Sequence, residues 1–264
     1  LGSVRDINSS VFVRQASLGN PYLKSASSTN YNLGFIYQFK ATTLSLDLWE
    51  IDYENRIEVE SAQAILSSNP NGPSVTRNEF GDLIGVSTTY FNEENTFISG
   101  IDFQFEYLME ISKGDLSINI MGTSLTDFLT PSLNSPNKMI NRIGKFNFDN
   151  HVHSLPKKRI NSFINWSYKN FVLGFSTRYI DGYKNEREIT GLGLTYGYQN
   201  TIKSFLVHDI SLKATKGNLS YSVYLSNLLD KSAPRLYDAP DFSFDTRVHD
   251  PRGRILGLNI GYEF

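Results

Sequence analysis

Apolar and polar side chains alternate with a period of two over stretches of about ten residues, repeatedly along the chain, and this pattern demands a sheet with two chemically different faces. Tyr31, Leu33, Phe35, Tyr37 and Phe39 share one face, and Asn32, Gly34, Gln38 and Lys40 the other, with Ile36 as the exception. Leu44, Leu46 and Leu48 alternate with Ser45, Asp47 and Trp49. The pattern then runs on through Ile51 and Tyr53, with a change of phase near Trp49 that predicts a bulge. Ile101, Phe103, Phe105 and Tyr107 stand against Asp102, Gln104 and Glu106. Further alternating runs begin near Leu116, Ile160, Phe171, Leu206, Leu219 and Leu256. The total is about nine strands, each close to the length that crosses a bilayer at a tilt.

The connections between these strands alternate in length. Short turns are predicted at 40–42, 111–115, 168–170 and 215–218, and long loops at 55–95, 127–156, 184–202 and 229–251. Long loops gathered at one end of a sheet are unusual in compact soluble domains and regular in outer-membrane barrels. Lipid offers no hydrogen bonds, so a spanning sheet must pair every backbone group within itself. Composition agrees: aromatic residues make up 13%, with 18 Phe and 15 Tyr. Tyr31, Tyr53, Tyr107, Tyr168, Tyr179 and Tyr262 fall where interfacial girdles are expected. The slightly negative mean hydropathy does not distinguish a barrel from a soluble protein, because a polar lumen dilutes the lipid face.

The chain opens at Leu1 without an initiator Met, a basic n-region or an apolar h-region, so it reads as a processed product or a fragment. A last strand that runs down into the periplasm, counted back through nine, makes the first run down as well. Bacterial barrels have an even strand number with both ends in the periplasm, so at least one upward strand is expected before residue 31. The predicted fold is all-β: a transmembrane antiparallel β-barrel, of which these residues are the C-terminal part.

Several segments resemble motifs of the TonB-dependent outer-membrane receptors. Gly19-Asn20-Pro21-Tyr22-Leu23-Lys24-Ser25, followed by Ser28-Thr29-Asn30-Tyr31-Asn32-Leu33-Gly34, is similar to the segment that leads into one barrel strand, with Ser25-Ala26 where the family usually has Pro-Glu. Trp49 to Ile57, Ser99 to Phe103, Asn227 to Pro234 and Asp250 to Arg254 resemble four further motifs in the family's order. The terminal Ile260, Tyr262 and Phe264 resemble its barrel-assembly signal. The resemblance implies a barrel of about 22 strands around a plug domain. The plug would carry the segment that contacts TonB, and neither lies in these residues. Implied partners are the TonB complex through that plug, the barrel-assembly machinery, outer-membrane lipid and lipopolysaccharide, and a small-molecule or oligosaccharide ligand.

On this reading Asp102, Gln104, Glu106, Asn161 and Asn165 face the lumen, in a row with Asp47, Asn119, Arg178, Asp209 and Lys213. Candidate ligand contacts come from the long loops: Arg77, Tyr90 and Asn92, then Tyr196 and Tyr198, then Arg235, Tyr237 and Arg247. Aromatic rings mixed with Asn and Arg suit stacking and hydrogen bonding to a sugar or a chelated iron.

Other chemistry finds little support. With no Cys, disulfides, thiolate metal sites and cysteine nucleophiles are excluded. Charges of 25 Lys+Arg against 27 Asp+Glu argue against a nucleic-acid binder. His151 and His153 could present two imidazoles to one metal, but no carboxylate is nearer than Asp149, and a solvated loop is the simpler reading. No phosphate-binding loop or nucleophile elbow is present, and neither a cofactor nor catalytic activity is expected. The expected function is TonB-energised uptake of a scarce nutrient across the bacterial outer membrane: a ferric siderophore, a cobalamin-like compound or an oligosaccharide. The alternatives are a soluble all-β carbohydrate-binding module and an outer-membrane barrel hydrolase.

Overall fold

The computed structural model describes residues 3–5, 12–132, 135–146, 154–185, 197, 199–236 and 243–263. Strands β1 (Ser3–Arg5) and β2 (Phe12–Leu18) precede β3 (Ser27–Phe39) and β4 (Thr42–Val59). Helix α1 (Ala62–Ser68) and β5 (Val75–Arg77) follow, then β6 (Leu83–Ile111), β7 (Gly114–Ser132), β8 (Ser135–Asn141) and β9 (Lys145–Phe146). The chain continues through β10 (Lys158–Tyr168), β11 (Phe171–Ile180), β12 (Tyr183–Asn185), β13 (Thr201–Ile202), β14 (Phe205–Lys216), β15 (Leu219–Ser226) and β16 (Ile255–Tyr262).

Nine of these strands form one antiparallel wall in chain order, β3-β4-β6-β7-β10-β11-β14-β15-β16, in agreement with the predicted number. Among the described residues the outer edges of β3 and β16 have no strand partner. The short turns are tighter than the sequence suggested. Pairing of Phe39 with Thr42, Ile111 with Gly114, Tyr168 with Phe171 and Lys216 with Leu219 leaves two-residue turns at Lys40-Ala41, Ser112-Lys113, Lys169-Asn170 and Gly217-Asn218. Such turns follow the right-handed twist of the strands only if a residue takes positive φ. Lys40, Lys169 and Gly217 do so at 51°, 52° and 57°, and Gly114 at 101°.

The registers place the alternating apolar runs of all nine strands on one face. Leu46 lies between Phe35 and Phe103, Ile164 between Ile118 and Phe175, and Val223 between Leu212 and Leu258. No second sheet covers this face among the described residues, and its side chains are open, with Leu33 at 69% and Leu256 at 72%. A soluble sandwich buries such a face against a partner sheet about 10 Å away. The opposite face carries Asp47, Asp102, Gln104, Asn119, Asn161, Asn165, Arg178, Asp209 and Lys213.

The bulge expected near Trp49 is not there. The β3-β4 register is unbroken from Phe39↔Thr42 to Ser27↔Glu54. Beyond Leu48 the same face carries Glu50, Asp52 and Glu54, while Trp49, Ile51 and Tyr53 stay on the polar face. The chemistry of each face changes along an unslipped strand, so Tyr53 is not on the face of Tyr31, Tyr107, Tyr168, Tyr179 and Tyr262. The register shift lies between β6 and β7 instead, where Ser99 pairs with Asp127 and Gly100 with Leu125, leaving Thr126 as the extra residue.

The wall strands run on past the apolar band. β6 has 29 residues, about 95 Å along the strand at ~3.3 Å per residue. The four long connections, at 60–82, 133–157, 181–204 and 227–254, all emerge at the end opposite the two-residue turns. Both buried apolar clusters sit among them. Ala62 and Leu66 of α1 pack on Leu83 and Val86 of β6, with Ser61 capping the helix through the Ala64 N–H. Phe146, Tyr183, Ile202 and Leu236 form the second cluster, beside the small sheet β13-β12-β9.

Candidate functional site

A cleft of about 300 Å³ opens on the polar face where β10, β11, β14 and β15 meet the long connections. Alternation turns Arg159 and Asn161 of β10 and Arg178 of β11 toward it, while Arg252 and Asp250 come from the segment before β16. Arg178 approaches Asp209 of β14 at 3.4 Å. The Asp209 carboxylate also accepts from Ser226 Oγ at 2.7 Å, the Asn227 N–H at 2.7 Å and Ser176 Oγ at 3.3 Å. Arg252 grips Asp250 through Nε and Nη2, which holds that carboxyl well below its ordinary value, at about 2. Arg159 is exposed and has no carboxylate partner among the described residues. Three guanidiniums thus meet two carboxylates, and the cleft carries excess positive charge.

The rim above the cleft is tied together by one buried carboxylate. Asp245, 3% exposed, accepts from Ser154 Oγ, from Tyr183 OH at 3.2 Å and from the Arg247 N–H at 3.0 Å. These groups come from three separate long connections, at 133–157, 181–204 and 227–254. His249, 4% exposed, stacks on Tyr183 at 5.9 Å and meets the edge of Phe205 at 5.2 Å. Burial holds the imidazole at about 4, below its ordinary 6.5, so it is neutral at physiological pH. Burial and the Asp245 carboxylate push the Tyr183 phenol up. Ser154, Asp245 and His249 therefore converge, but not as a catalytic triad. The serine hydroxyl bonds the carboxylate directly, and neither imidazole nitrogen has a hydrogen-bond partner among the described residues.

The segments before β16 and after β15 also clasp each other. Asn227 takes positive φ and binds Lys231 twice, through Oδ1 to the N–H at 2.8 Å and Nδ2 to the carbonyl at 2.9 Å. Asp230 then accepts the Arg254 N–H at 2.8 Å. Two of the recognised motifs, around Asn227 and Asp250, are thus one structural device that closes the cleft's side.

Residues 5–228 match the family model described as TonB dependent receptor-like, beta-barrel. The chain belongs to the TonB-dependent receptors. No curated protein matches the sequence. Among solved structures, the siderophore receptor PirA from Acinetobacter baumannii is similar at 18% identity and TM-score 0.61, over 94% of this chain and 33% of that one. The ferric enterobactin receptor PfeA from Pseudomonas aeruginosa, in a mutant with enterobactin, gives 16% and 0.62 over 94% and 33%. The outer membrane transporter YddB from Escherichia coli gives 15% and 0.60 over 94% and 34%. The chain spans about a third of the length of these structures, and at such identities the likeness is one of fold.

Within this TonB-dependent receptor wall, two residues expected to meet ligand are bonded to the protein's own backbone. Arg77 donates from Nε to the Pro70 carbonyl at 3.1 Å and from Nη1 to the Gly81 carbonyl at 2.9 Å, stapling the turn that holds it. Asn92 exchanges bonds with the Lys24 backbone at 2.8 and 2.9 Å and donates to the Asn55 carbonyl at 2.8 Å. Tyr90 pairs with Val59 at the top of β6 and keeps an open ring. Arg235 lines a second cleft with Lys203 and Lys231, and Arg247 is exposed beside the Asp245 clasp. Tyr196, Tyr198, Tyr237, Phe264, His151 and His153 lie outside the described residues.

The expected polar row is held together by its own bonds. Thr123 donates to Asp102 at 2.6 Å, and Gln104 and Asn119 donate to Glu106 at 2.7 and 3.0 Å. Ile260 and Tyr262 share the apolar face with Leu256 and Leu258. Arg159, Ser154 and Asp245 were not singled out from the sequence, and Arg252 only as part of the Asp250 to Arg254 motif, with no role. Arg159 carried a local signal there, as a charged residue in phase with Asn161 and Asn165.

Proposed function

We propose that this chain is part of the wall of an outer-membrane receptor that takes up a scarce nutrient with energy from TonB, and that its polar face lines the lumen. The observation that carries the reading is the uncovered apolar face on nine consecutive strands, backed by a hydrogen-bonded polar face. In water such a face is an aggregation surface, whereas in lipid it is the required one. The cleft of Arg159, Arg178 and Arg252 sits at the mouth, where an incoming ligand is first held, and its excess positive charge favours an anionic one. A ferric siderophore fits that charge better than a neutral oligosaccharide. Arg235, Arg247 and Tyr90 remain candidate contacts, and Asp102, Gln104, Glu106, Asn161 and Asn165 would face a plug.

The test is uptake of a labelled panel of ferric siderophores, cobalamin and oligosaccharides by cells with and without the full-length gene, in the presence or absence of a protonophore. Gene-dependent accumulation of an anionic ligand that stops with the protonophore supports the reading. Gene-dependent accumulation that the protonophore leaves unchanged would remove the TonB step.

A further inference from the structure

Three of the four two-residue turns contain a lysine and the fourth is preceded by one. Lys40, Lys113 and Lys169 sit within their turns, and Lys216 is the last residue of β14. All four are exposed, and none makes an ion pair among the described residues. Two of them stand where lysine is a poor conformational choice. Lys40 and Lys169 have φ of 51° and 52°, a left-handed backbone that glycine or asparagine adopts more readily. A charged side chain kept at such a position suggests a use for the charge.

Their placement says where that charge goes. Lys40 Nζ lies 5.2 Å from the centre of the Phe39 ring, and Lys169 Nζ 5.2 Å from that of Tyr168. Both rings occupy apolar-face positions, so each ammonium is drawn to that side of the rim. Lys216 is itself in phase with Leu212 and Ala214. Trp166, stacked on Tyr168 at 6.0 Å, donates to the Lys113 carbonyl at 2.8 Å and ties that turn to the same border. The carboxylates at this end are on the other side, since Glu110 and Asp115 pair with each other at polar-face positions. The rim is thus cationic toward lipid and anionic toward the lumen.

We propose that this lysine rim is a binding surface for anionic phospholipid headgroups in the leaflet at the short-turn end of the wall. The Lys40 and Lys169 ammoniums lie at the level where an apolar ring band ends, the depth at which a phosphate would meet them while the acyl chain runs along the apolar face. The inference rests on the membrane-wall reading above.

The test uses the full-length receptor in phosphatidylcholine vesicles that contain a fixed fraction of either brominated phosphatidylglycerol or brominated phosphatidylcholine. Quenching of Trp166 is isolated by subtracting the Trp166→Phe variant. The anionic lipid is expected to be preferred beside Trp166 by about two- to five-fold, a preference that high salt removes. The combined Lys40→Gln, Lys113→Gln, Lys169→Gln and Lys216→Gln variant should bring the ratio close to one. Lys113→Gln alone should lower it if the combined variant does not insert. Equal quenching by the two lipids, or a preference unchanged in the variants, overturns the proposal while leaving the wall intact. No quenching by either lipid overturns the wall reading itself.

Discussion

Replacing Leu46 by arginine sets the account of the two faces against its neighbour Asp47. Leu46 is flanked across the sheet by Phe35 and Phe103, and along its own strand by Leu44 and Leu48. Glu50, where this face turns polar, is four residues away, about 13 Å along the strand and roughly 10 Å of depth at the usual barrel tilt. Thr42, at the short-turn end, is equally far the other way. Leu46 therefore sits near the middle of an apolar band about 20 Å tall at this strand, where arginine costs about 2–4 kcal/mol. Asp47→Arg points to water and exchanges bonds with a polar face, so its cost is expected within about 1 kcal/mol. Urea titration of the full-length receptor folded into vesicles reads both. Leu46→Arg as mild as Asp47→Arg, or milder, would refute the assignment of faces.

Three other perturbations report on the rim and turns. Asp245→Ala strands the Ser154 and Tyr183 hydroxyls at about 1–3 kcal/mol each, so the three connections should separate and become open to limited proteolysis while the wall stays folded. Because His249 is held near 4 against an ordinary 6.5, the folded rim binds fewer protons than the unfolded one between those values. Rim stability should then fall as pH drops from about 6.5 to about 4, by hydrogen exchange, and His249→Phe should flatten that dependence. Gly114→Ala meets the Ser167 carbonyl oxygen at 1.9 Å as well as a φ of 101°, whereas Gly217→Ala meets nothing within 4 Å at a φ of 57°. Unfolding free energies from urea titration should drop clearly for the first and by about 1–2 kcal/mol for the second.

The wall was legible in the sequence because a membrane-spanning strand writes its environment residue by residue. Leu44, Leu46 and Leu48 against Ser45 and Asp47 need no long-range information, and all nine strands and four tight turns followed from such runs. The same rule misread Trp49, because apolar residues change face both when a strand slips and when the water level is reached. Glu50, Asp52 and Glu54 were the signal for the second cause. The rim was not legible. Ser154 and Asp245 are 91 residues apart and meet only through the folded loops. Arg77 and Asn92 have the residue types of ligand contacts, but type alone does not tell a side chain aimed at a ligand from one bonded to the protein's own backbone.

The central claim is that one face of this sheet meets lipid and the other meets water. Single nitroxide labels at successive positions of β14, from Leu206 to Ala214 in the full-length receptor in vesicles, test it most directly. Oxygen collisions should peak at 206, 208, 210, 212 and 214, and collisions with a water-soluble nickel complex at 209, 211 and 213, with a period of two, while 207, buried beneath the rim, should be shielded from both. Labels that show no alternation, or a nickel complex that reaches both sets equally, would contradict it.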